Sequence, residues 1–371
     1  MIASIVLALA LFVYSYGFLD FNLTLSSNPL FLRFVAPLQH LIYFDRPHSA
    51  QIYAAILTLM FTLYILVLIR SSIHALSHFP WKLFLILVAI LTLAYPMLSY
   101  DIYNYMFHAK ILWFYHANPH LHAPLEYTGD LWLRFMRWVH TPSAYGPVFT
   151  LIESPAYLLG IGKFVPVLVL MKASMSVFFV WCVYLIGKIG TELKRSRSHI
   201  VRAQLMLALN PFLLLDIIVN GHNDAVMMGL FLFSLLLSFR HQQKWSLLAL
   251  AASIGVKFIT ALAIPLYLVR SPKARLLPLF ILMLLPILAS PGRFQPWYLT
   301  WALIPAALLD YTWARIWIVL ASVAGLIYYL PYIATGFWND TLWFNSLAIY
   351  LPVLLTVIYF LFSRLFPRRS K

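Results

Sequence analysis

Apolar runs near residues 1–19, 52–69, 83–99, 147–162, 164–187, 204–219, 225–239, 246–269, 276–290, 298–309, 316–333 and 346–366 occupy most of this chain. A helix needs about 20 apolar residues to cross a bilayer, and backbone in lipid must satisfy its own hydrogen bonds. The runs approach that length and follow one another with short connections. Charged residues make up 10% of the 371, against about 25% in an ordinary soluble domain. That is too few to cover a water-facing surface, and the mean hydropathy of +0.86 agrees. The expected fold is all-α: a polytopic transmembrane helical bundle of about 10–12 membrane helices, some broken or re-entrant. Residues 1–371 read as one integral membrane domain whose solvent is the lipid bilayer. Within it, 1–82 is expected as an N-terminal helical hairpin, 83–333 as a core, and 334–371 as a C-terminal loop and helix.

The net charge of +15 does not indicate a nucleic-acid partner, because the basic residues are not interleaved along an exposed face. They sit between apolar runs, at Arg70 to Lys82, Lys188 to Arg202, Arg240 to Lys244, Arg270 to Arg275 and the tail Arg368-Arg369-Ser370-Lys371. Such clusters mark cytoplasmic loops. Both termini are then cytoplasmic, in the plasma membrane, and 20–51, 100–146, 220–224, 291–297 and 334–345 are extracytoplasmic. Asp20, Asp45, Asp101, Glu126, Asp130, Asp224 and Asp340 fall outside, Glu192 and Asp310 inside, and Glu153 and Asp216 within apolar runs. Ile2 to Leu19 has no basic leader and no small-residue cleavage site, so it is expected as a retained first helix. The single cysteine, Cys182, excludes disulfides within the chain and thiolate metal cages.

Two stretches depart from simple spans. Residues 246–269 are apolar with basic clusters on both sides, which a single pass would put on opposite faces. A hairpin of two half-helices turning at Gly255-Val256-Lys257 resolves this and implies a polar cavity, since broken backbone at membrane depth needs one. Residues 147–187 look like two runs where an odd number of passes is needed. The proline-broken Pro147 to Gly162 is expected to be re-entrant or interfacial. No internal repeat of the kind many transporters carry is visible.

Polar residues gather on the expected outer side. Tyr100-Asp101-Ile102-Tyr103-Asn104-Tyr105 opens the longest polar loop, and Trp113, Phe114 and Tyr115 suggest an interfacial helix. Asn220-Gly221-His222-Asn223-Asp224 is a tight turn, and Gly, Asn and Asp are turn formers in any case. Arg293 precedes Phe294-Gln295-Pro296-Trp297-Tyr298 and can serve as a headgroup anchor or a phosphate ligand. Lys257 lies within an apolar run, where an uncompensated charge costs about 2.5–3.5 kcal/mol or more. A carboxylate, a His-Asn-Asp turn, an arginine and a lysine suit a phosphate-bearing lipid substrate. No paired-histidine metal motif, phosphate-cradling glycine loop or Ser-His-Asp signature is present.

Tyr100 to Tyr105, Asn118-Pro119 and Tyr145-Gly146-Pro147 together resemble the first outer loop of C-type (GT-C) glycosyltransferases, multi-spanning enzymes that use polyprenyl-phosphate sugars. Asn210-Pro211 and the turn 220–224 are similar to the signature of their prokaryotic mannosyltransferase-like branch, as are Val256-Lys257-Phe258 and Gln295-Pro296-Trp297-Tyr298. The resemblance spans roughly 83 to 332. It implies a membrane hexosyltransferase, with mannose favoured, that takes sugar from a polyprenyl-phosphate donor to a glycan or glycolipid hydroxyl on the extracytoplasmic side. By the same resemblance the loop acid Asp101 is the catalytic base. Tyr103 stands where that family commonly has a second acid, so a divalent metal is unsupported and no cofactor is expected.

An inverting transfer needs one general base and cations around the departing phosphate. Asp101 is assigned as the base. Arg293, Lys257 and His222 are candidate phosphate ligands, and Tyr103, Asn104, Asn223, Asp224 and Tyr145 candidates to orient the sugar or the loop. A lipid or small-solute transporter or flippase is the alternative, because intramembrane charges also mark transport pathways.

Overall fold

The computed structural model of the chain describes residues 2–19, 28–74, 76–338 and 341–365. Asp20 and Asp340 lie outside the described residues. Helices α1 (Ile2–Tyr16), α2 (Pro29–Gln39), α3 (Arg46–Ile73) and α4 (Trp81–Thr92) come first. Next are α5 (Asp101–Trp113), α6 (Pro147–Leu159), α7 (Phe164–Glu192), α8 (Arg197–Ala208) and the short α9 (Pro211–Leu213), which continues as a π-helical stretch, Leu214–Val219. Then follow α10 (Asp224–Phe239), α11 (Gln243–Ile254), the 3-10 segment Phe258–Leu268, α12 (Pro272–Ala289), α13 (Leu299–Ala306), α14 (Thr312–Ile327), α15 (Leu330–Thr335) and α16 (Leu342–Leu365). No strand occurs among the described residues.

Short polar residues set the helix starts. Asn28 accepts from the amides of Leu30 and Phe31, Ser196 from His199, and Ser271 from Ala274, each satisfying a donor that has no partner within its helix. Pro29, Pro211 and Pro272 occupy first positions, where a missing N–H costs nothing.

Five helices among the described residues are long and apolar enough to cross a membrane: α3, α7, α12, the α14–α15 pair and α16. A sixth forms if α8 and the segment Pro211–Val219 count as one span bent by 46°. Asn210-Pro211 makes that bend, since proline cannot extend the helix before it and Asn210 caps the new one through the Phe212 amide. Several of the remaining runs fold as shorter apolar helices (α1, α4, α10 and Phe258–Leu268), so fewer full-length spans appear than run counting suggested. The expected break at 255–257 is present: α11 stops at Ile254 and the 3-10 segment starts at Phe258. In 147–187, α6 has 13 residues, about 20 Å of helix and too short to cross alone, whereas α7 has 29.

Apolar side chains point outward as well as inward. Leu59, Leu66 and Ile69 of α3 and Leu354, Ile358 and Phe362 of α16 are exposed on helices with no water-soluble face, as expected of contact with lipid tails.

The bundle has two chemically distinct ends. At one, Arg195 pairs with Asp310 at 2.7 Å and Arg240 with Glu192 at 2.6 Å, while Arg197 and Arg202 donate to the carbonyls of Ser77 and Ser71. Basic clusters distant in sequence therefore converge there, together with the two acids expected on their side. Asp101, the 220–224 turn, the 255–257 break and residues 291–301 meet at a separate place. The loop helix α5 is buried along Asp101 to Ala109, and exposure is high only at its end, at Trp113 and Phe114.

Candidate active site

Asp101 is the first residue of α5. The unpaired amides of a helix start favour a carboxylate there, and its own amide donates to Ser99 Oγ at 3.3 Å. The carboxylate is buried but not isolated. Trp138 Nε1 donates to Oδ1 at 3.2 Å and the Tyr145 hydroxyl to Oδ2 at 3.3 Å. Asn104, one turn along α5, donates to the Trp138 carbonyl at 2.8 Å and so holds that indole in place. Burial pushes the Asp101 carboxyl up to about 6, against the opposing pull of the Lys257 charge and of the hydrogen bonds from Trp138 and Tyr145. A carboxylate tuned near neutrality can both accept and release a proton.

The 220–224 turn is locked to this helix. Asn220 Oδ1 accepts from the Leu98 amide at 3.1 Å, which ties the turn to the segment leading into Asp101. Gly221 has φ +78°, a conformation that strains any other residue, and its Cα lies close against the end of the Ile102 side chain on α5. The next residue, His222, is fully buried. Its Nδ1 lies 3.8 Å from Asp101 Oδ2 and its Nε2 3.7 Å from Asp216 Oδ1, and its ring stacks on Trp297 at 4.4 Å. Burial, and then the Lys257 charge, hold the imidazole well below its ordinary pKa.

Asp224 opens α10 and accepts from Lys257 Nζ at 2.8 Å and from Trp301 Nε1 at 2.6 Å. Lys257 is delivered by the break after α11. The amides of Gly146 and Val148 donate to the carbonyls of Val256 and Gly255, both at 3.0 Å, so the loop carrying Tyr145 is bound to the break. A Cβ on Gly146 would sit 2.1 Å from the Gly255 carbonyl oxygen, and only glycine permits that approach. Lys257 lies 5.6 Å from the Tyr145 ring centroid as a result.

These parts enclose a cavity of about 550 Å³ lined by Asp101, Asn104, Tyr145, Lys257 and Arg293, with His108, Trp138, Gln295, Trp297 and Trp301 among its other walls. Arg293 enters from the short turn Pro291–Arg293 and forms no ion pair with any described residue. Its charge is therefore free for an anion, whereas one donor of Lys257 is committed to Asp224. Phe258 and Ile259 complete one wall, and Phe258 is 72% exposed.

The chain matches the family model described as alpha-(1->6)-mannopyranosyltransferase, N-terminal domain, over residues 7–271. The chain belongs to this family. It is accordingly a glycosyltransferase of a mannosyl-transferring family, built with membrane helices. Curated proteins and solved structures gave no match. The matched region begins in α1 and holds Asp101, the 220–224 turn and Lys257, while Arg293 and Gln295 lie beyond it.

Four sequence candidates are not among the residues lining the cavity. His222 stands behind Asp101, between two carboxylates and against an indole, a setting that opposes a second anion rather than binding one. Asp224 supports Lys257 from behind. Asn223 is buried at the start of α10. Tyr103 packs on Phe135 and Phe164, because a helix places residues two apart on different faces, while Asp101, Asn104 and His108 share one. Sequence reasoning missed Trp138, Trp301 and His108, which carry no local signature. Asp216 did carry one, a carboxylate inside an apolar run. Among the described residues no group of three or more His, Cys, Asp or Glu is arranged to hold a metal.

Proposed function

We propose that the enzyme transfers a mannosyl group from a polyprenyl-phosphate donor to a hydroxyl of a glycan or glycolipid on the extracytoplasmic side of the plasma membrane, with inversion and with Asp101 as general base. The observation that carries this reading is the meeting, around one cavity, of a buried carboxylate whose pKa is raised to about 6 and two cations, Lys257 and Arg293.

The step balances simply. The acceptor oxygen bonds to the anomeric carbon, its proton passes to Asp101, and the anomeric carbon–oxygen bond to phosphate breaks to release the polyprenyl phosphate. Arg293 and the remaining donors of Lys257 receive the charge that collects on that phosphate, and Lys257, held by Asp224, is positioned for it in advance. Tyr145 and Trp138 keep the carboxylate aimed, and Asn104 steadies Trp138. An isoprenoid chain would leave past Phe258 and Ile259 along the exposed apolar residues Leu262, Ile264 and Leu268.

Radiolabel transfer tests this. Purified enzyme in lipid nanodiscs is given polyprenyl-phosphate mannose, polyprenyl-phosphate glucose or polyprenyl-phosphate arabinose. Incorporation from the mannose donor well above the other two is expected. Equal incorporation from all three, or from none, contradicts the reading.

A further inference from the structure

Asp101 is a wall of two cavities, not one. Besides the cavity with Lys257 and Arg293, a second of about 250 Å³ reaches the carboxylate from another direction, past Ser99 and Tyr100. Asp101, Trp138, Gln295 and Trp297 belong to both, so the two spaces meet at the base and are separated there by two indoles and an amide.

The linings differ in kind. The second cavity has Tyr100, Trp138, Trp297, Tyr328 and Trp338 as its aromatic walls, with Arg137 as its cation. That arginine lies 4.8 Å from the Tyr100 ring centroid, which keeps it against the wall. Trp338 is stacked on Tyr332 at 4.3 Å, and yet 40% of it stays exposed, leaving ring surface for something else. Trp138 is half exposed in the same way. The volume falls below the roughly 300–1,000 Å³ typical of pockets for drug-sized ligands. Aromatic faces with a few hydrogen-bonding groups at the edges fit a ligand that is apolar on its flat sides and polar around its rim. A pyranose ring is such a ligand: its C–H faces lie on indoles, and its hydroxyls meet Arg137, Gln295 and Ser99.

We infer that the second cavity is the acceptor subsite, that it takes the terminal hexose of a glycan, and that it presents that sugar's hydroxyl to Asp101 from the side opposite the donor phosphate. The inference rests on the proposed transfer reaction and deepens it by assigning the acceptor class and the residues that recognise it. Donor and acceptor then occupy separate spaces that meet at the base. This arrangement brings the two reacting atoms together at one carboxylate. Trp138, Gln295 and Trp297 touch both spaces, whereas Leu98, Ser99, Tyr100, Arg137, Tyr328 and Trp338 line the acceptor side and not the donor cavity.

Two measurements test it on the full chain in nanodiscs, with methyl α-D-mannopyranoside as the acceptor probe. In steady-state transfer, Trp338→Ala and Arg137→Ala are expected to raise the acceptor KM about tenfold while leaving the donor KM unchanged. Arg293→Ala is expected to show the reverse. Trp338→Phe, which keeps a ring, should recover most of the loss and so separates stacking from folding. A rise in donor KM in Trp338→Ala, or no change in either constant, overturns the assignment. In saturation-transfer NMR without donor, the mannoside is expected to bind wild type and Asp101→Asn but not Trp338→Ala. Absence of binding to wild type, or undiminished binding to Trp338→Ala, also overturns it. Binding with this pattern in an enzyme that fails to transfer mannose would retain the sugar subsite and reject the transfer reaction instead.

Discussion

At the scale of single residues, the site depends on how one carboxylate is surrounded. The Asp101 carboxyl is raised to about 6 by burial, while Lys257 holds it lower than burial alone would. A base acts when deprotonated, so kcat/KM is expected to fall as pH drops through about 6 and to level off above it. Lys257→Met removes the cation that opposes the effect of burial on Asp101, which favours the protonated acid. The acid limb of the pH profile should therefore move to higher pH, and a limb that stays put or moves down would separate Lys257 from Asp101. Arg293→Ala should act differently: a higher donor KM with little shift in the limb, since the exposed guanidinium faces the ligand. His222 shows why a residue's type was readable and its role was not. The turn marks it as unusual, but only the fold places its ring between Asp101 and Asp216.

At the scale of elements, the decisive joints are backbone contacts that sequence patterns barely record. The break at 255–257 was legible from basic clusters flanking an apolar run, whereas 204–219 read as one run although Pro211 bends it. The docking of the Tyr145 loop onto the 255–257 break was not legible, because it consists of two amide-to-carbonyl bonds between glycine-containing segments. Gly146→Ala would force the two strands of backbone apart at a 2.1 Å contact. A loss of about 1–3 kcal/mol is expected, seen as a lower melting temperature in detergent. Activity should fall more than stability does, since Tyr145 and Lys257 are both hung from that joint. A Gly146→Ala protein with wild-type melting and rate would show the contact to be unimportant. Helical periodicity also explains why Tyr103 does not line the cavity: residues two apart on α5 point to different faces, whereas Asn104 and His108 share the carboxylate's face.

For the whole molecule, the low charge content was enough to identify a membrane protein, and apolar runs near the length of a span to identify it as helical. Five to six helices among the described residues are long enough to cross, and several other runs fold as shorter apolar helices, in keeping with a bundle in which some helices are broken. What brings distant loops to one place is the bundle as a whole, and no pairwise pattern encodes it. The basic end, held by Arg195–Asp310 and Arg240–Glu192, is expected in the cytoplasm. Cys182 is buried, so Cys182→Ser supplies a quiet background. In intact cells an impermeant maleimide should label Gly129→Cys, whose position faces open space, and should spare Lys244→Cys until the membrane is permeabilised. The opposite pattern would invert the topology.

The most direct measurement compares wild type with Asp101→Asn, both in nanodiscs and both shown to bind the polyprenyl-phosphate mannose donor. The expected outcome is unchanged donor binding with mannosyl transfer reduced by about 10²–10⁴, the usual contribution of a general base. Transfer by Asp101→Asn at the wild-type rate would contradict the account.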